Sequence, residues 1–313
     1  MPESNLPAPA PSVPCLPQPV PSALRAAATD PAFRSRIGVQ RAGGFYPAPH
    51  RYQVYLCPDC PDSLRVAITL DLLDLGAAVT TTVLTPRTGT DTGTDTDTDT
   101  DTGTDTGTGA PAADGPLRLA YEATLHHYDG PLTVPALCDR WSGRVVSNHT
   151  PDILRDLAEH LADPARDDLP DLRPAALADD IDALRALLDE ALSGDAPPEA
   201  QHRALALLDG RLDAAPYALG GRPTAADVDL WVALVRLGGG LGPRPDTGAA
   251  GLLDGYDRLR AYVRRLHRLP AFQGNLGPER LASFRRAAGR CADPARPADP
   301  VAALAHTLRI GAA

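Results

Sequence analysis

The chain has 313 residues, a formal net charge of −10, 43% hydrophobic residues and only 4% aromatic ones. That length suits about two ordinary domains, with cores built mainly from Leu, Ala and Val. The acidic balance argues against nucleic acid or an anionic membrane surface as the main partner. No apolar run approaches the roughly 18 residues that a membrane-spanning helix needs. The first residues lack the basic and apolar regions of a signal peptide. Five cysteines, an odd number without framework spacing, suit a reducing cytoplasm. Every basic residue other than histidine is arginine.

Residues 1–30 are rich in Pro, Ala and Ser and read as a disordered arm containing Cys15. Residues 31–50 read as a loop anchored by Phe33, Ile37 and Phe45. The segment 51–65, RYQVYLCPDCPDSLR, reads as a buried strand at Tyr52–Leu56, a turn with two cysteines, and a helix. A thiol at a strand-to-helix turn meets unpaired backbone N–H groups and the positive end of the helix dipole, which favour the thiolate. If Cys60 is the N-cap, Pro61 takes the first helical position, where its missing N–H costs nothing. Asp62 and Ser63 then fill the first turn. Cys60 is therefore the candidate nucleophile, with Cys57 an auxiliary thiol able to pair with it.

Leu64, Ile68, Leu72 and Leu75 continue with helical spacing, and Gly76 is expected to end the helix. The β-branched stretch 77–84 reads as a second strand, so the unit is βαβ and calls for parallel pairing. Residues 88–109 contain only Thr, Gly and Asp. They lack the period and apolar positions of a calcium loop and read as a disordered insertion. Residues 117–127 are helix-like. His126, His127, Cys57, Cys60, Cys138 and His149 match no zinc spacing, so no metal is expected. Ala136–Asp139 and Arg144–Ser147 form a hairpin pattern. Thr150 is the expected N-cap of the next helix, followed by Pro151 and Asp152. Residues 167–174 read as a linker. Helical patterns follow at about 174–193, 198–214, 224–238, 252–268 and 278–290, with a weaker one at 299–310. Thr224 and Asp227 form a capping box that starts a nearly all-apolar helix, the spine of an α-helical domain.

An N-terminal unit of this order followed by helices resembles the glutathione transferase superfamily, and within it the Xi class, the glutathionyl-hydroquinone reductases. That family reads roughly Arg-Tyr-His-Leu-Tyr, four residues, Cys-Pro-Trp-Ala, then Arg-Thr-Leu. Arg51, Tyr52 and Tyr55 fall on the first piece without a gap, Cys60 and Pro61 on the second, and Arg65 on the last arginine. The family's Thr-Val-Pro is similar to Thr133, Val134 and Pro135. Its Val-Ser-Asn-Glu-Ser is similar to the stretch from Val146 to Thr150, and its Thr-Glu-Ala-Asp to the stretch from Thr224 to Asp227. The resemblance covers residues 31–285 and selects Cys60 independently of the capping argument.

It implies an α/β thioredoxin-like domain at 31–166, an all-α domain at 174–290 and a partly helical tail at 291–313. It implies a cis peptide before Pro135, with the Val134 backbone left to pair with the peptide backbone of glutathione. His149 and Thr150 would hold the γ-glutamyl end. The implied activity is mixed-disulfide chemistry. Cys60 attacks the sulfur of a thiol–aromatic conjugate, and a second thiol frees the enzyme. The implied partners are a small-molecule thiol, glutathione or another such as mycothiol, and an aromatic conjugate; a homodimer stays open. The chain departs from the family pattern at Asp62, where the family has Trp, and at His149, where it has Glu. The family's quinone-holding tyrosines are not matched at 194–203 or 238–251. Two other readings stay open: a non-catalytic binding module of this fold, and a dithiol oxidoreductase cycling Cys57 and Cys60.

Overall fold

The computed structural model describes residues 24–26, 33–38, 44–58, 60–84, 115–192, 196–238, 253 and 255–277. Most of the arm 1–30, the insertion 88–109, the helices expected at 278–290 and 299–310, and Cys15 lie outside the described residues. Within the arm, Leu24–Ala26 is strand β1. It pairs in parallel with β4, Leu132–Val134, so this part of the expected arm is ordered by backbone pairing.

The main sheet has four strands in the order β3, β2, β5, β6: Val79–Val83, Tyr52–Leu56, Ala136–Asp139 and Arg144–Ser147. The pair β2 and β3 is parallel, as the βαβ reading requires. The hairpin of β5 and β6 joins β2 antiparallel, so the sheet is mixed. Asp139 organises the hairpin turn, accepting from the Trp141 N–H at 3.2 Å and the Ser142 hydroxyl at 2.7 Å. Its two oxygens also take Arg51 Nε and Nη2 at 2.8 and 2.9 Å, a bidentate pair shielded by the rings of Tyr46 and Trp141. Loop residue Ile37 is buried, and Phe33 meets Tyr121 edge-on at 5.3 Å, as anchors should.

Helix α1, Pro61–Leu72, carries the sheet's apolar face into the rest of the molecule. Every residue from Ser63 to Leu70 is buried, because α1 packs on the sheet side and also on helices of the C-terminal half. Its end differs from the expectation. The helix stops at Leu72, and the left-handed residue after the cap is Asp74, with φ 51°. The Leu75 N–H reaches the Leu70 carbonyl at 2.9 Å and the Asp74 N–H the Asp71 carbonyl at 3.3 Å, the two bonds of a Schellman end. Gly76 lies two residues beyond and is not left-handed.

Helix α2, Gly115–Thr124, precedes β4. Helix α3, Thr150–Asp156, continues as a π-wound turn at Leu157–Leu161. A short 3₁₀ turn, Ala175–Leu177, leads into α4, Ala178–Ala191. Then come α5, Pro198–Ala214, α6, Ala225–Gly238, α7, Asp257–His267, and α8, Pro270–Asn275. Helix α6 is buried throughout residues 225–235 and is the spine that its composition announces. Trp231 is fully buried there, donating from Nε1 to the Val263 carbonyl at 3.2 Å. Asp227 closes the box that starts α6, accepting from the Thr224 N–H at 2.8 Å. It also accepts from the Ala218 N–H and the Tyr262 hydroxyl. The linker is anchored: Leu172 is buried with its carbonyl on the Ala225 N–H, and Arg173 binds Glu159 and Asp182.

Candidate functional site

Cys60 is the N-cap of α1, with extended backbone (φ −99°, ψ 120°) and Pro61 next. Its sulfur accepts from the Ser63 N–H at 3.5 Å, an ordinary cap bond with sulfur in place of oxygen. In return the Ser63 hydroxyl accepts from the Cys57 N–H at 3.0 Å, which ties the strand end to the first turn of the helix. Across the site, Cys60 Sγ lies 3.6 Å from the Val134 carbonyl oxygen. The Val134–Pro135 peptide is cis. The sequence motifs thus bring together Cys60, Val134 and Pro135 at the meeting of α1 and β4.

Behind this wall, Tyr121 holds Thr133. The Tyr121 hydroxyl donates to the Thr133 carbonyl at 2.9 Å and accepts from the Thr133 N–H at 3.3 Å. Asn148 Nδ2 donates to both hydroxyls, at 3.1 Å to Tyr121 and 2.8 Å to Thr133. Asn148 is the residue before His149, so one buried network positions β4 and the start of α3. Tyr121 carried no sequence signal beyond its place on the apolar face of a short helix.

Cys57, Cys60 and Cys138 are all buried thiols, and no disulfide joins the first two. The thiolate expected at Cys60 is not the favoured form. Burial pushes its thiol up, to about 11, with the Asp62 charge the next cause. The N–H groups of Ser63 and Asp62 pull the other way and do not win. The capping logic placed the residue correctly; the sequence could not show the apolar cover of Tyr55, Cys57, Val134 and Ala136 around it.

At the start of α3, Thr150 is the first helical residue and His149 is the cap, one position earlier than expected. Pro151 at the second position and the absence of a side-chain cap bond fit that shift. His149 Nδ1 lies 2.9 Å from Asp152 Oδ2, in ion-pair range but off the line of a hydrogen bond. Arg34 Nε donates to the same carboxylate at 2.9 Å. Burial pushes Asp152 up, but Arg34 and His149 more than reverse this, and the group ends below the usual carboxylate range. The start of α3 therefore already holds a carboxylate between Arg34 and the His149 ring. Among the described residues no group of three or more His, Cys, Asp or Glu side chains is arranged to hold a metal ion, and no helix is long and apolar enough to cross a membrane.

Residues 171–265 match the family model of the glutathione S-transferase C-terminal domain. The glutathionyl-hydroquinone reductase YqjG of Escherichia coli is 29% identical over 220 residues, 64% of this chain, and the chain spans 63% of that protein's length. The crystal structure of a Xi glutathione S-transferase from Phanerochaete chrysosporium superimposes with a TM-score of 0.62 at 26% identity, covering 82% of this chain and 90% of that one. The glutathione-bound structure of YqjG superimposes with a TM-score of 0.61 at 22% identity, covering 82% and 91%.

Proposed function

We propose that this chain is a divergent relative of the Xi-class glutathione S-transferases and a cysteine-dependent thiol transferase or reductase acting on conjugates of a small thiol. The observation that carries this reading is Cys60 at the cap of α1, accepting from the Ser63 N–H and facing the carbonyl of Val134 beside a cis proline. The relative named glutathionyl-hydroquinone reductase and the glutathione-bound structure support glutathione as the thiol and a hydroquinone as the released product.

The Cys60 thiol loses its proton to solvent, and the thiolate attacks the sulfur of the conjugate. A sulfur–sulfur bond forms, the sulfur–carbon bond breaks, and the electron pair leaves on the aromatic carbon, which takes a proton from water. A second thiol attacks the mixed disulfide, releases the oxidised thiol pair and restores Cys60. The aromatic product is reduced by two electrons and two small thiols are oxidised. The Val134 backbone, expected to be left for the peptide backbone of glutathione, is paired with Ala26 of β1 in this structure, so a peptide-like thiol pairs there only when β1 leaves β4. Thr150, with His149 and Asp152, faces its charged end; Asp152 returns a carboxylate to a region where His149 replaces the family's Glu.

Cys60→Ser abolishes turnover of a glutathionyl-hydroquinone with glutathione as reductant, while Cys57→Ser keeps the product-releasing step. A Cys60→Ser chain with undiminished turnover contradicts the proposal. The raised pKa of the buried thiol favours one other reading, a binding module of the same fold without turnover. It predicts ligand-induced thermal stabilisation by glutathione with no product formed.

A further inference from the structure

We propose that Arg65 is a positioning residue for the Cys60 chemistry: held by carboxylates of α4 and α6, its guanidinium binds Asp62 and so sets the negative charge that the thiol faces. The proposal rests on the reading of Cys60 as nucleophile. Asp62 is two residues after Cys60, in the first turn of α1. Its Oδ1 lies 2.6 Å from Arg65 Nη1. Arg65 Nη2 donates to Asp189 of α4 at 2.7 Å. Arg65 Nε is 3.3 Å from Asp229 Oδ1 of α6, and the second oxygen of Asp229 takes Arg185 Nε of α4 at 2.9 Å.

The guanidinium is nearly buried and Asp229 entirely so. Burial lowers the Arg65 pKa, and the three carboxylates more than reverse this, so the group stays charged. Its contact with Asp229 is one of charge alone, since neither Arg65 Nε nor Asp229 Oδ1 completes a hydrogen bond. Apolar residues would fill such a place at less cost, so a buried ion cluster is weak evidence of a stability device. What this one does is place a fixed cation beside the carboxylate nearest the thiol in sequence. Only the planar fork of an arginine reaches three carboxylates from one stem. An Asp62 left without it would oppose the thiolate with its full charge.

The test uses the full chain and the rate of Cys60 carbamidomethylation by iodoacetamide at pH 8, read on the peptide that contains Cys60. Asp62→Asn raises the rate about three- to tenfold, the gain in thiolate being partly offset by lower nucleophilicity. Arg65→Gln lowers it by a similar factor when Asp62 is present and leaves it unchanged in the D62N background. If Arg65→Gln does not fold, Arg65→Lys, which keeps a charge in the buried place but lacks the fork, shows the same pattern with a smaller fall. Equal effects of the Arg65 variants in both backgrounds, or no effect in either, overturn the proposal. So does an unchanged rate in Asp62→Asn alone, which leaves Arg65 and its deeper partners in place. Labelling needs no turnover. A failure of the nucleophile reading would show as a Cys60→Ser chain that still turns over, a result separate from unchanged labelling rates.

Discussion

At Cys60 two opposing effects meet in one atom. Cover by apolar neighbours and the Asp62 charge disfavour the thiolate; the N–H groups of the first helical turn favour it, and the sum leaves the thiol raised to about 11. The folded protein at neutral pH therefore holds a protonated thiol, and the thiolate fraction rises about tenfold for each pH unit below the midpoint. The labelling rate of Cys60 should climb from pH 7 to pH 9 with no plateau. A plateau below pH 8 would mean that the helix N-terminus outweighs burial. The choice of Cys60 over Cys57 was legible because proline favours the first helical position, which Pro61 takes only when Cys60 is the cap. The burial was not, because part of the cover comes from distant residues of the chain, Val134 and Ala136.

At the scale of elements, the end of α1 shows how a correct helix can carry a wrong stop. Gly is the usual left-handed residue, so Gly76 was the natural choice; Asp tolerates the same region and stands at Asp74 instead. Gly76→Ala is accordingly expected to change stability by less than about 0.5 kcal/mol, since a Cβ there meets nothing within 4 Å. Asp74→Val, a β-branched residue forced to positive φ, should cost about 1–2 kcal/mol. Urea unfolding of both variants checks the pair, and the reverse ranking would restore Gly76 as the cap. The one-residue shift at α3 has a similar cause: Thr150 is a good cap by type, but Asn148 is locked to Tyr121 and Thr133, contacts that residue type does not show. β1 was illegible because three paired residues in a Pro/Ala-rich stretch have no periodicity to read.

At the scale of the whole molecule, α1 belongs to both halves. It carries the thiol at its N-terminus, buries its length between the sheet and α6, and extends Arg65 to α4 and α6. The two-part organisation was readable from hydrophobic periodicity, and the capping box of Thr224 and Asp227 marked the spine helix. The charge cluster between the halves was not, because Asp62, Asp189 and Asp229 are ordinary helix residues until packing brings them to one arginine. The insertion 88–109 contains only Thr, Gly and Asp and offers nothing apolar to offset the entropy of ordering it. Its deletion should leave the melting temperature within about 2 °C of the parent. A larger fall would show that the segment contributes contacts to the fold.

The central claim is that Cys60 is the atom that attacks. The most direct measurement is peptide-level mass spectrometry of the chain after incubation with a glutathionyl-hydroquinone and no free thiol, so that the mixed disulfide cannot be resolved by a second small thiol. The account predicts a glutathione adduct on Cys60, or a disulfide between Cys57 and Cys60 where the neighbouring thiol has resolved it, and none in Cys60→Ser. An adduct on Cys57 with Cys60 unmodified, or product release with both thiols intact, would contradict it.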